Sequence, residues 1–458
     1  MRRSIIVRQM AVTAGLVLAL LGTLNSGVGT RRVRAFSVFT VTSTADSGPG
    51  SLRDTINAAA SGDTVMFNLP LPATITLTTG AITIAQNLTI AGPGANLLTV
   101  SGNNSAQVFK VGVGPSVTIA DLTIAHGSAP SVFGGAIFNK GTLSVTNCIF
   151  SNNTALNGGA IGAVVQGNLT VTGCTFVGNS AVGNGGAIDA TGVPISVANS
   201  TFSSNSAMSG GAFFVDSQAT IVNCTLSGNS AGAASGGGIF AIGPLSHLNL
   251  QNTIIAGSTG GDCTLFAGGT IGTNSHNLIQ DGSCSPLLSG NPMLGPLQNN
   301  GGPTPTMALL PGSPAIDAGD DGVLGSPLFL TTDQRGVGFP RKSGAHLDIG
   351  AFELQVVGPS FDTCLKDNTT GNLFQFSSTT GQYLFTRCAD SFTLSGTGTV
   401  ALVNGIRRLK DVKNDRKISA GFNNAQLTGS VTIYLKVAHG VWQLFQIHAT
   451  NPSALCQC

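Results

Sequence analysis

Counted from each of five Gly-Gly pairs, the fourth position along the chain carries Phe138, Gly162, Asp189, Phe214 and Phe240, and Asp216 stands two residues beyond Phe214. Aromatic faces stack on the apolar side of a sugar ring, and carboxylates accept hydrogen bonds from its hydroxyls. Phe138, Asp189, Phe214, Asp216 and Phe240 are therefore the candidate ligand contacts, and an extended polysaccharide is the ligand class they suit. Cleaving such a chain needs a carboxylate pair, or clustered carboxylates with calcium and a base. Between residues 111 and 260 the only acids are Asp121, Asp189 and Asp216, and the only Lys or Arg is Lys140. No catalytic residue is assigned on that inventory. A polysaccharide lyase or glycoside hydrolase is kept as the alternative function.

The rest of the chain adds no further chemistry. The six histidines lack metal-site spacing, and Asp317, Asp320, Asp321, Asp333 and Asp348 do not form a calcium loop. These acids are expected to pair with Arg335 and Arg341. No metal and no cofactor is expected. The basic run from Arg407 to Lys417, diluted by Asp411 and Asp415, reads as a solvated turn between strands.

The elements that position the candidate row are legible as a repeat. Gly134-Gly135-Ala136-Ile137 returns at 158, 185, 210 and 236, with small changes, at spacings of 24, 27, 25 and 26 residues. Between these pairs run Cys148-Ile149-Phe150, Cys174-Thr175-Phe176, Ser200-Thr201-Phe202 and Cys224-Thr225-Leu226, each followed by an asparagine: Asn153, Asn179, Asn205 and Asn229. A coil of about 25 residues holds three short strands and three turns, and coils stack at ~4.8 Å, so like residues lie on like. Residues two apart share a strand face. The Cys and Phe columns are therefore expected to point inward and the residue between them to face water. The fourth-position row is likewise expected to face solvent. The four asparagines form a structural column at a turn, where Asn tolerates a left-handed backbone and bonds neighbouring main-chain groups.

Three stretches carry family resemblances. The Gly-Gly-Ala-Ile and Phe-x-x-Asn phrases of residues 131–240 resemble polymorphic outer membrane protein repeats. Residues 39–67, with Ser51-Leu52-Arg53-Asp54-Thr55-Ile56-Asn57-Ala58, resemble the leader of bacterial secreted β-helix proteins. Residues 262–354, with Gly312-Ser313-Pro314-Ala315-Ile316-Asp317 and Asp348-Ile349-Gly350-Ala351-Phe352-Glu353, resemble the choice-of-anchor Q domain, and that resemblance implies a surface protein. From Pro359 onward β-type alternation such as Val431 to Val437 stands where members of that family carry an anchoring signal.

Together these readings predict an all-β chain: a right-handed parallel β-helix with a short capping helix and a small C-terminal β domain. Residues 1–35, basic and then apolar, read as a signal peptide. Residues 36–130 are the N-terminal cap and first coils, 131–261 the repeat coils, 262–357 the terminal coils and cap, and 358–458 the C-terminal β domain. Ser51 and Asp54 suit a helix start, with Leu52, Ile56 and Ala59 on one face. Of nine cysteines, Cys263 and Cys284 are expected to bond, closing a loop that contributes roughly 3 kcal/mol. Cys148, Cys174 and Cys224 are expected to stay reduced, and Cys364, Cys388, Cys456 and Cys458 to pair among themselves.

Residues 1–35 hold six of the 21 basic residues and none of the 19 acidic ones, so the mature chain is acidic, at −4. Six Lys or Arg against 14 Asp or Glu between 36 and 355 disfavour a nucleic-acid partner. No later segment is apolar enough to span a bilayer. The expected protein is secreted or at the bacterial cell surface, adhesin-like or structural, with extracellular polysaccharide or cell-envelope components as partners.

Overall fold

A computed structural model describes residues 36–164 and 167–355 in full and, between 363 and 449, the backbone of nine strands. The segment expected to be a signal peptide, residues 1–35, and the expected pairing of the last four cysteines fall outside the described residues. The body is a right-handed parallel β-helix whose wall consists of three parallel sheets of ten, eight and nine strands. A further parallel ribbon of three short strands, beginning with Ser128–Phe133, fills the corner before the Gly-Gly turns.

Register explains the repeat. On the ten-stranded sheet Leu143 pairs with Leu169 and then Ile195; on the nine-stranded sheet Phe150 pairs with Phe176 and then Phe202. The three phenyl rings stack at 4.5 and 4.6 Å between centroids, all fully buried. Cys148, Cys174 and Cys224 are buried beside them as free thiols. Burial pushes the Cys224 thiol up to about 12, so it packs as a neutral apolar group.

The two glycines of each pair do different work. The first takes a left-handed backbone, with φ of 62° at Gly158 and 63° at Gly185. The second lies against the next coil: a Cβ on Gly159 would collide with the carbonyl oxygen of Gly186, and one on Gly186 with that of Gly211.

Both ends of the apolar interior are closed. Helix Leu52–Ala58, N-capped by Ser51 through Asp54 N at 3.2 Å, packs against the strands Val38–Val41 and Ile82–Ile84 with Leu52 and Ile56 fully buried. At the other end Cys263, stacked in register on Ile239, is bonded to Cys284, which packs against the same core.

Residues 290–355 depart from the expected cap. After the last coil strands, Thr270–Ser275 and Leu278–Ile279, the chain folds back as a strap along the outer side of the nine-stranded sheet. Thr304 Oγ1 donates to Gly173 O at 2.8 Å, Thr175 Oγ1 donates to Pro305 O at 2.6 Å, and Ala351 N donates to Thr225 Oγ1 at 3.0 Å. Thr175, Thr201 and Thr225 were expected to face water as the middle residue of each Cys-x-Phe phrase. They are buried because the strap lies over them. Inside the strap Asp333 pairs with Arg335, which is sandwiched between Phe339 and Phe352 at 4.0 and 3.9 Å, and Arg341 pairs with Glu353.

The C-terminal residues form antiparallel sheets of four and five strands. The basic run expected as a turn instead lies mostly in strand Ile406–Val412, which pairs with Arg416–Asn423.

Candidate functional site

The fourth-position residues do form one row, on the outer side of the eight-stranded sheet. Register runs Thr83, Lys110, Phe138, Gly162, Asp189, Phe214, Phe240, Thr264. The expected exposure of that row is corrected by the structure. Asp189 has no accessible surface, and Phe214 and Phe240 keep 9% and 8% of theirs. The row lies in the corner beside the Gly-Gly turns. There Phe133, from the three-stranded ribbon, occupies the space above Gly162 and stacks on Phe138 at 6.0 Å. Phe214 stacks on Phe240 at 5.9 Å, and Phe240 on Phe266 at 5.8 Å. At a coil spacing of ~4.8 Å, rings lying along the stacking axis cover one another and the small residues between them.

A second row, two residues further along each strand, is the more open one: Lys140, Val164, Thr191, Asp216, Ile242 and Phe266. Phe266 is 56% exposed. Of the candidate residues, Phe138 and Asp216 are thus reachable from solvent, Phe214 and Phe240 only at their edges, and Asp189 not at all.

Asp189 is an unusual group. Its Oδ1 accepts from Thr191 Oγ1 at 2.6 Å, while its Oδ2 is buried without a hydrogen-bond partner. Burial pushes its carboxyl up to about 7; the Thr191 bond opposes the shift and nearby Asp216 adds to it. Asp216 is fixed differently, its Oδ1 accepting Gly192 N at 2.6 Å.

At one end of the face Thr83, Lys110, Gly112, Val132, Phe138 and Lys140 line an open groove of about 270 Å³. Lys140 Nζ lies 4.8 Å from the Phe138 ring centroid, a cation–π contact. Sequence reasoning missed this groove and Phe266. Lys110 sits in a coil without a Gly-Gly pair, so alignment on glycines does not reach it. Phe266 follows Gly260-Gly261, whose next residue is Asp262 instead of Ala or Gly.

The asparagine column is a buried ladder. Asn153 Nδ2 donates to Asn179 Oδ1 at 2.9 Å, Asn179 to Asn205 and Asn205 to Asn229 at the same distance; Asn179, Asn205 and Asn229 also bond the carbonyls of Phe150, Phe176 and Phe202. The left-handed positions are one residue earlier, at Asn152, Gly178, Ser204 and Gly228. A second left-handed asparagine set, Asn147, Asn199, Asn223 and Asn252, turns the chain from the ten-stranded to the nine-stranded sheet.

Among the described residues no helix is long and apolar enough to cross a membrane. The repeat model of the Chlamydia polymorphic membrane proteins matches residues 147–164 and 173–191. No curated protein and no solved structure matches the chain. The matched segments run from the turn before Cys148 through the second Gly-Gly strand to Asp189 and Thr191, within the coils that carry the ladder and the phenylalanine stack. The body is thus a right-handed β-helix in which two segments, residues 147–164 and 173–191, match the polymorphic membrane protein repeat.

Proposed function

We propose that this chain is an exported, surface-associated protein of adhesin type, ending its helix in a choice-of-anchor Q-like segment, that binds an extended polysaccharide without cleaving it. The ligand lies along the stacking axis on the outer side of the eight-stranded sheet. One observation carries the reading: aromatic rings stand at both ends of that face, Phe133 and Phe138 at one and Phe214, Phe240 and the exposed Phe266 at the other, with the Gly162 and Asp189 coils between them. A sugar chain rises by about the coil spacing of ~4.8 Å per residue, so successive units meet successive coils. The nine-stranded sheet is shielded by the strap over the same coils. Of the two carboxylates near the row, Asp189 is closed to solvent, which leaves Asp216 without a partner for acid–base work.

The test is a glycan array probed with the secreted chain and with Phe138→Ala/Phe266→Ala. Neither side chain belongs to the interior, so the double variant should melt as the parent does and lose binding by about ten-fold or more. Retained binding in that variant, or release of new reducing ends by the parent, contradicts the proposal.

A further inference from the structure

We infer that the Lys110 end of this face recognises the carboxylate of a uronic acid, so that the polysaccharide bound is an acidic one. This inference rests on the polysaccharide-binding reading and names its ligand class. Between residues 36 and 355 there are six Lys or Arg. Arg53 pairs with Asp46, Arg335 with Asp333, Arg341 with Glu353 and Lys342 with Asp321. Of these six, only Lys110 and Lys140 have no carboxylate partner, and both line the same groove.

Their placement is built into the backbone. Lys110 and Phe138 are register partners on adjacent strands, and Lys140 N donates to Val111 O at 3.1 Å, which holds the second lysine beside the first strand. No acid lines the groove. In a body with 14 carboxylates, two unneutralised lysines lining one groove, Lys140 with its ammonium 4.8 Å from the Phe138 ring centroid, make a local field of opposite sign. An anion is therefore drawn to this point and repelled elsewhere. The groove volume of about 270 Å³ falls near the lower end of small-molecule sites, and the groove is open. It takes one unit of a chain that continues along the face. A uronate ring offers an apolar side to Phe138 and a single carboxylate to two compact ammonium groups, which act as point charges without the planar fork that Arg presents to phosphate.

The experiment measures binding of the full secreted chain to polygalacturonate, to fully methyl-esterified polygalacturonate, to neutral xyloglucan and to polyglutamate, for the parent, Lys110→Ala/Lys140→Ala and Lys110→Arg/Lys140→Arg. The expected result is binding to polygalacturonate that falls about ten-fold or more on esterification or on Ala substitution, weakens with salt, and survives Arg substitution. Equal binding of the ester, or no loss in the Ala variant, overturns the inference while leaving polysaccharide binding in place. Polyglutamate bound as tightly as polygalacturonate overturns it in favour of a general polyanion site. Absence of binding to any of the three polysaccharides contradicts the underlying reading as well.

Discussion

The side-chain amide of Gln334 bridges two successive coils: its Oε1 accepts from Thr201 Oγ1 at 2.6 Å and its Nε2 donates to Thr175 Oγ1 at 3.0 Å. The same Nε2 lies 2.9 Å from Thr304 Oγ1 within the strap, and the whole group is buried. One residue thus ties residues 290–355 to the body across 133 and 159 positions of sequence. Gln334→Ala leaves two buried hydroxyls short of partners, at about 1–3 kcal/mol each. The strap should loosen before the helix melts. Trypsin is expected to cut at Arg335 and Arg341, buried in the parent, while far-UV circular dichroism is unchanged. Unaltered resistance to trypsin would show that the strap is held elsewhere.

Asn205 occupies the centre of the ladder, accepting from the main-chain N of Asn179 at 3.0 Å and from its Nδ2 at 2.9 Å, and donating to Phe176 O at 3.0 Å. Asn205→Ala removes one hydrogen bond from each of these three buried groups, although Asn179 Nδ2 keeps its bond to Phe150 O. The expected cost is about 3 kcal/mol or more, read as a clear drop in melting temperature. Asn299→Ala removes one solvent-exposed bond, from Gly301 N at 2.9 Å, and as the comparison should cost well under about 1 kcal/mol. Equal melting of the two variants would mean that the ladder adds no stability.

Asp189 gives the fold a pH dependence whose sign is fixed. Its folded pKa of about 7 lies above the ordinary carboxyl value of 3.8, so folding favours the protonated form. That contribution is complete below about pH 4 and is lost as pH rises through 7. Asp189→Asn cannot ionise, and should match the parent at pH 4 but exceed it at pH 8, by on the order of 2–4 kcal/mol as an upper figure. Glu353, also pushed up to about 7 by burial with Arg341 opposing the shift, titrates in both proteins and cancels in the difference. Denaturant unfolding at the two pH values reads the result. A constant difference between them would place Asp189 in solvent.

The repeat made the body legible, because stacked coils repeat their side chains and any column of Gly, Phe or Asn shows at a fixed spacing. Thr175, Thr201 and Thr225 were misread for a reason the same logic contains. Alternation assigns them to the outer side of a strand, and nothing within 25 residues indicates that a segment more than 120 positions away covers them. Asp189 was misread because its row was treated as isolated side chains. Phe133, outside the repeated phrases, fills the space over Gly162, and the rings of Phe214, Phe240 and Phe266 lean along the stacking axis. Lys140 was legible as the one Lys or Arg between residues 111 and 260; that it shares a groove with Lys110 depends on a register between two coils of which only that of Lys140 carries Gly-Gly.

Hydroxyl-radical footprinting in the presence and absence of polygalacturonate places the ligand directly. Phe138 and Phe266 lie towards opposite ends of the outer side of the eight-stranded sheet, and Met66, 47% exposed, reports on the ten-stranded sheet. Saturating ligand should lower oxidation at Phe138 and Phe266 and leave Met66 unchanged. Protection of Met66 with Phe138 and Phe266 still oxidised at the free rate would contradict that placement.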